Sequence, residues 1–192
     1  MKKFISFLIL STLCINILFA GAFGFEEGMT YNEVKNQSIN IIDEAKINNL
    51  TLIQVEPKKN HIEFNDYILI IDEDYGLVKI IAETSPIETN RYGQQLTNTL
   101  NSITQSLSNK YGSENAIDSL YENSIWDQPE SYMMSLVKQE RTLGNYWITN
   151  DSYIYIEATG ISTNEGKITL TYEYYDFEKA LEKYTDLESQ IL

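Results

Sequence analysis

Cysteine and histidine are almost missing from this chain of 192 residues, which has one of each, Cys14 and His61. Cys14 sits inside an apolar run near the N-terminus. The chain beyond that run therefore has no disulfide, no thiolate metal site and no thiol nucleophile. A lone histidine cannot pair with another on a metal, and a Ser-His-Asp arrangement would have to use His61. No G-x-S-x-G turn and no phosphate-cradling glycine loop accompanies it. Flanked by turn residues, His61 is expected at the surface. Positive charge is scarce too, with 14 Lys and Arg against 28 Asp and Glu and a formal net charge of −14. Such a field repels phosphate backbones and anionic lipid surfaces, so no nucleic acid is expected, and it attracts a basic partner. Acidity of this size also keeps an exported protein soluble.

What is present begins with a leader. Met1-Lys2-Lys3 precedes an apolar run from Phe4 to Phe19, and Ala20-Gly21-Ala22 follows. A basic start, an apolar middle and an A-x-A end predict a secretory signal peptide over residues 1–22, cleaved after Ala22. Leu13 precedes Cys14 where a lipoprotein signal has Gly or Ala, so the cysteine is read as part of the discarded peptide. No later apolar stretch reaches the ~18 residues of a membrane span. Residues 23–192 are expected to form one domain, periplasmic or secreted. Losing Lys2 and Lys3 takes the basic count from 14 to 12 against 28 acidic residues, a net charge of −16.

The centre of the domain is expected between residues 64 and 112. Tyr67–Ile71 and Leu77–Ala82 are β-branched and aromatic runs around Asp72-Glu73-Asp74-Tyr75-Gly76, a hairpin with one strand central and the other nearer a sheet edge. The carboxylates at Asp72 and Asp74 suggest a calcium loop. The next alternate carboxylate and the bidentate Glu are missing, so a solvated turn is favoured. Tyr92, Leu96, Leu100, Ile103, Leu107 and Tyr111 then recur at helical spacing up to Gly112, predicting a helix that lies on its own sheet.

Upstream, Thr30 and Glu33 form a capping box, with Met29 and Val34 as its hydrophobic staple. Val34, Ile41, Ile42 and Ala45 continue one helical face. The residues Phe23-Gly24-Phe25, Gly28-Met29-Thr30 and Glu33-Val34 resemble the mature start of many small exported bacterial proteins of unassigned function. The Gly-Met-Thr-x-x-Glu-Val part is similar to the opening helix of BamE-like outer-membrane assembly lipoproteins. By analogy, that resemblance implies a role in outer-membrane barrel assembly. The chain departs from that family in lacking its lipobox cysteine and the Gly-x-Pro after the helix.

Leu50–Val55 reads as a strand and Pro57–Asn60 as a turn. Asp127, Pro129 and Glu130 mark a helix start, with Met133, Leu136, Val137 and Glu140 carrying the helix toward Gly144. Glu140-Arg141 is read as either a buried ion pair or helix surface, and Trp126 and Trp147 as core or rim. Tyr153–Glu157 and Lys167–Tyr175 read as paired strands. Their alternation puts Ile154, Ile156, Ile168, Leu170, Tyr172 and Tyr174 on the core side. Tyr153, Tyr155, Glu157, Glu173 and Tyr175 fall on the other side, the candidate binding surface for a basic protein or a glycan. Asp176 starts a last helix.

These readings give an α+β fold: a mainly antiparallel sheet of about six strands with long helices packed on one face. Strands 50–85 and 145–175, each followed by a helix, hint at two β-β-β-α halves. No cofactor or metal is expected. The favoured function is non-enzymatic, a binding or envelope-maintenance module. One alternative is a hydrolase acting on glycans through two carboxylates, recognisable as a facing pair in a cleft with one member desolvated. Another is an immunity-type inhibitor of a basic toxin or lysozyme-like enzyme.

Overall fold

The computed structural model describes residues 21–189. Residues 1–20, which hold most of the expected leader and Cys14, lie outside them. The described chain builds one antiparallel sheet of nine strands rather than about six. A helix α1 (Tyr31–Gln37) leads into β1 (Ser38–Ile47), β2 (Leu50–Pro57), β3 (Asp66–Asp72) and β4 (Gly76–Glu83). The two-residue β5 (Ile87–Glu88) and the long α2 (Gln94–Tyr111) follow. After β6 (Asn115–Leu120) come α3 (Tyr132–Val137), β7 (Arg141–Ile148), β8 (Ser152–Ser162), β9 (Glu165–Tyr174) and α4 (Asp176–Ser189). The strand order is β1-β2-β3-β4-β9-β8-β7-β6. Two four-stranded meanders are thus joined edge to edge through β4 and β9, and each is followed by a helix. Both β3 and β4 are interior, so the expected edge position in that hairpin is not found.

The helices occupy both faces of the sheet, not one, and α2 and α4 each cross to the meander they do not follow. On the first face α2 buries Leu96, Leu100, Ile103 and Leu107, as its spacing predicts, against the core residues Ile154, Ile156, Ile168 and Leu170 of β8 and β9. Its start has no side chain on the cap residue, Gly93. Thr89 Oγ1 instead accepts from the amide of Gln95 at 3.1 Å, and Asn90 Oδ1 accepts from those of Tyr92 and Gln94. On the second face α4 lays Phe177 and Ala180 over Leu50 and Val78, with Leu52, Ile70 and Tyr184 around them.

Two expected helices are short. The capping box at Thr30 forms on both sides, but the helix ends at Gln37, where Ser38 Oγ donates to Val34 O at 2.9 Å. Residues 38–47 then run as a strand. Its ladder with β2 shifts register between Ser38 and Asn40 and again between Ile41 and Asp43. Each bulge inserts one residue, which breaks the two-residue alternation and leaves apolar spacings that mimic a helix. The segment after Pro129 makes one 3₁₀ turn and the six-residue α3. Gln139 then takes φ +58° and the chain enters β7, so Gly144 is mid-strand rather than a helix end.

Gly21 and Ala22 belong to the packed structure. Ala22 is buried, and it exchanges two backbone hydrogen bonds with Phe25, at 3.0 and 2.9 Å. In the β3–β4 turn, Asp72 Oδ1 accepts from the amides of Asp74 and Tyr75, and Oδ2 accepts from Asn49. The turn itself therefore occupies the carboxylate that suggested calcium. Gly76 closes it at φ +70°, where a Cβ would lie 2.2 Å from Gly28 O.

Candidate functional site

Because α4 covers only the β2–β4 half of the second face, the β6–β9 half is open among the described residues. Sheet register decides what stands there. One row runs Lys79, Glu173, Tyr153, Ile148 from β4 to β7; the next runs Ile81, Thr171, Tyr155, Tyr146; the third runs Glu83, Thr169, Glu157, Gly144. The alternate residues Ile154, Ile156, Trp147 and Leu170 point into the core. Tyr153 and Tyr155 each have a buried neighbour on either side in sequence, and Tyr146 has the buried Trp147 after it.

The tyrosines form a continuous strip. Tyr146 stacks on Tyr153 with centroids 5.5 Å apart and 29° between planes, and Tyr153 meets Tyr155 at 5.7 Å. These three phenol hydroxyls carry no hydrogen bond to other described residues. Burial raises the Tyr153 phenol above its ordinary pKa, helped by Tyr146, Tyr155 and Glu173, so it stays a proton donor. Beside the strip is a shallow hollow of about 170 Å³, lined by Ile117, Thr142, Gly144, Tyr146, Tyr155 and Glu157 among others. Gly144 lets β7 approach β8 closely beside it, since a Cβ there would lie 2.2 Å from Ile156 O. Glu157 has no ion-pair partner among the described residues. Ile148, 67% exposed, extends the apolar margin.

The five residues expected at this surface separate into groups. Tyr153, Tyr155 and Glu157 lie together on the open face. Glu173 shares it but is tied to Lys79 at 2.7 Å, with side chains 29% and 14% exposed, and Lys79 in turn sits 4.4 Å over the Phe177 ring. Tyr175 falls beyond the end of β9, and its hydroxyl donates to Thr149 O at 2.7 Å, so it braces the β7–β8 turn. Sequence reasoning missed Tyr146, which alternates with the buried Trp147 and could have been found by that pattern. Thr171, which the alternation of β9 does put on this face, is buried between its neighbours.

A larger cleft lies elsewhere, about 630 Å³ between the 21–26 segment, Lys59, the end of α2 and the 149–151 turn. Glu26 and Asp151 line it together with Lys59 and Lys110. Asp151 accepts from Thr149 Oγ1 at 2.6 Å and Ser152 Oγ at 3.0 Å, and Lys110 donates to Gly21 O. Burial, then Asp151 and Asp176, raise the carboxyl of Glu27 above its usual range. Glu27 is not among the residues lining the cleft.

His61 is half-buried against the Phe64 ring at 5.6 Å, and its Nδ1 accepts from the Glu63 amide. Arg141 pairs with Asp118 and leaves Glu140 to accept from Ser124. Trp147 is core, its indole donating to Gly112 O at 2.9 Å; Trp126 is half-buried. Among the described residues, no helix is long and apolar enough to cross a membrane. No protein-family model matches the chain, and no curated protein or solved structure is significantly similar to it.

Proposed function

We propose that the protein is an exported, non-enzymatic binding module that takes a basic protein segment on the open β6–β9 face. The observation that carries this reading is the contrast between the halves of one sheet face. One half is sealed by α4, while the other presents Tyr146, Tyr153 and Tyr155 as a strip with free hydroxyls beside an unpaired Glu157. Rigid aromatic area with polar tips suits protein contact. Phenol rings next to a carboxylate favour arginine and lysine, through cation–π attraction and charge. The net charge of −16 left once the leader is removed, 12 basic against 28 acidic residues, steers such a partner toward the protein.

The envelope setting rests on the leader-like N-terminus and on the resemblance of residues 23–34. Glycan binding is the competing outcome, because carbohydrate also stacks on tyrosine. Titrating an arginine-rich peptide and a set of neutral oligosaccharides against the protein and its Glu157→Gln variant separates them. Peptide binding that weakens in Glu157→Gln and in high salt supports the reading. Oligosaccharide binding indifferent to salt and to Glu157→Gln refutes it.

A further inference from the structure

The far end of the sheet carries a second unmatched surface. β1 is an edge strand of ten residues with no strand on its outer side among the described residues. Ile39, Ile42 and Ile47 on it are 58%, 59% and 45% exposed. Long apolar edges are pairing templates unless something blunts them. Here the two bulges blunt only the first half, with Ile39 and Ile42 as the inserted residues. From Asp43 to Ile47 the strand is regular, pairing residue by residue with Gln54 to Leu50. The opposite edge, β6, has six residues, and its Asp118 is engaged by Arg141.

We propose that the Asp43–Ile47 edge pairs antiparallel with its counterpart on a second copy of this chain, with Ala45 opposite Ala45 across a two-fold axis. A strand pairing with itself about such an axis must place one residue opposite its own copy. Centring on Asp43, Glu44 or Lys46 sets like charges directly opposite each other, which is destabilising. Centring on Ile47 runs the ladder into the tight turn at Asn48, where φ is +52°. Only Ala45 remains, and it is small enough for close approach.

In that register Glu44 stands opposite Lys46 of the second copy, and Lys46 opposite its Glu44. Both side chains leave the sheet on the same face, since their β2 partners Ile53 and Thr51 alternate with Leu52. Asp43 then faces Ile47. The contacts these groups make now are surface ones: Lys46 to Glu73 at 2.7 Å with side chains 60% and 52% exposed, and Tyr31 donating to Glu44. Exposed pairs of this kind contribute little, so exchanging them costs little.

Because the two-fold axis is perpendicular to the sheet, the dimer is one continuous sheet with both tyrosine strips on the same side, at its outer ends. Two strips per particle allow bivalent capture. The pairing itself does not depend on the binding reading. A five-pair ladder is small beside the ~800 Å² per partner of stable interfaces, so the association is weak.

Sedimentation velocity of the purified protein at physiological salt, from about 10 μM to about 1 mM, tests it. The sedimentation coefficient is expected to rise with concentration for the parent. It should stay monomeric for Glu44→Lys and Ala45→Lys, a loss of at least about tenfold in association. The exchange Glu44→Lys with Lys46→Glu restores opposite charges and should restore association. Thermal melts at low concentration check that each variant folds. A parent that is monomeric throughout the range, or a double exchange that fails to associate while folded, overturns the proposal.

Discussion

Tyr174 offers a test of the core in which sign and size both follow from the structure. It stands on the core side of β9, 1% exposed, and its hydroxyl has no hydrogen-bond partner. Burial, then Tyr111 and the carboxylates of Asp151, Glu27 and Glu26, push its ionisation far above the ordinary range, so the group is a neutral, unsatisfied hydroxyl at every relevant pH. Leaving a buried hydroxyl unpaired costs about 1–3 kcal/mol. Tyr174→Phe keeps the ring and removes only that group, at the expense of a void of one oxygen atom. We expect a gain of about 1 kcal/mol, which for a domain of this size raises Tm by about 2–4 °C. The matched control is Tyr67→Phe. Tyr67 is 2% exposed, but its hydroxyl accepts from the His61 amide at 3.0 Å and donates toward Phe64 O at 3.3 Å. That variant should lose about 1 kcal/mol. Differential scanning calorimetry at neutral pH reads both. A Tyr174→Phe melt below the parent's would refute the reasoning, since the hydroxyl would then be satisfied.

Gly144→Ala drives a methyl to 2.2 Å from Ile156 O; overpacking against backbone costs about 1–3 kcal/mol, measurable by urea denaturation as a lower midpoint with unchanged slope. Two carboxyls set opposite pH trends. Burial raises the pKa of Asp72, but the Asn49 amide, the amides of Asp74 and Tyr75, and Lys183 outweigh it, so the folded pKa is depressed. Its stabilisation is therefore present above the unfolded value near 3.9 and lost as pH falls through the folded one. The deficit of an Asp72→Asn variant should shrink below about pH 4. Glu27 is raised by burial, then by Asp151 and Asp176, so its ionised form disfavours the fold. Glu27→Gln should raise stability at pH 7, with the gain vanishing below about pH 4. Melts of the variants across pH 3 to 7 decide whether the two trends run in opposite directions.

Regular periodicity was legible in the sequence. The α2 stripe and the alternation of β8 and β9 stand in the structure where spacing places them, because each is an uninterrupted run of one period, and the central hairpin is found although a bulge at Val78 interrupts β4. What was not legible depends on partners distant in sequence. The bulges of β1 hide its alternation, and they exist because β2 lies beside it. The strand at Arg141–Ile148 replaces an expected helix because Leu143 and Trp147 find a core between β6 and β8. Placing α4 on the second face requires knowing that Leu50, Leu52, Ile70 and Val78 stand together there, which no local pattern states. At the site, alternation gave the facing of Tyr153, Tyr155 and Glu157. It did not give the stack with Tyr146, which needs the β7–β8 register, nor the tie of Glu173 to Lys79, which needs the β4–β9 pairing.

The most direct test of the binding reading compares the parent with Tyr153→Ser/Tyr155→Ser. Both proteins are melted, then titrated with the same arginine-rich peptide, with binding read from backbone amide shifts. The account predicts parent shifts clustered on Tyr146, Tyr153, Tyr155 and Glu157, loss of at least about tenfold in affinity in the double variant, and a melt that stays cooperative. Shifts that cluster on the cleft around Lys59, Lys110 and Asp151, or a double variant that binds as well as the parent, would contradict it.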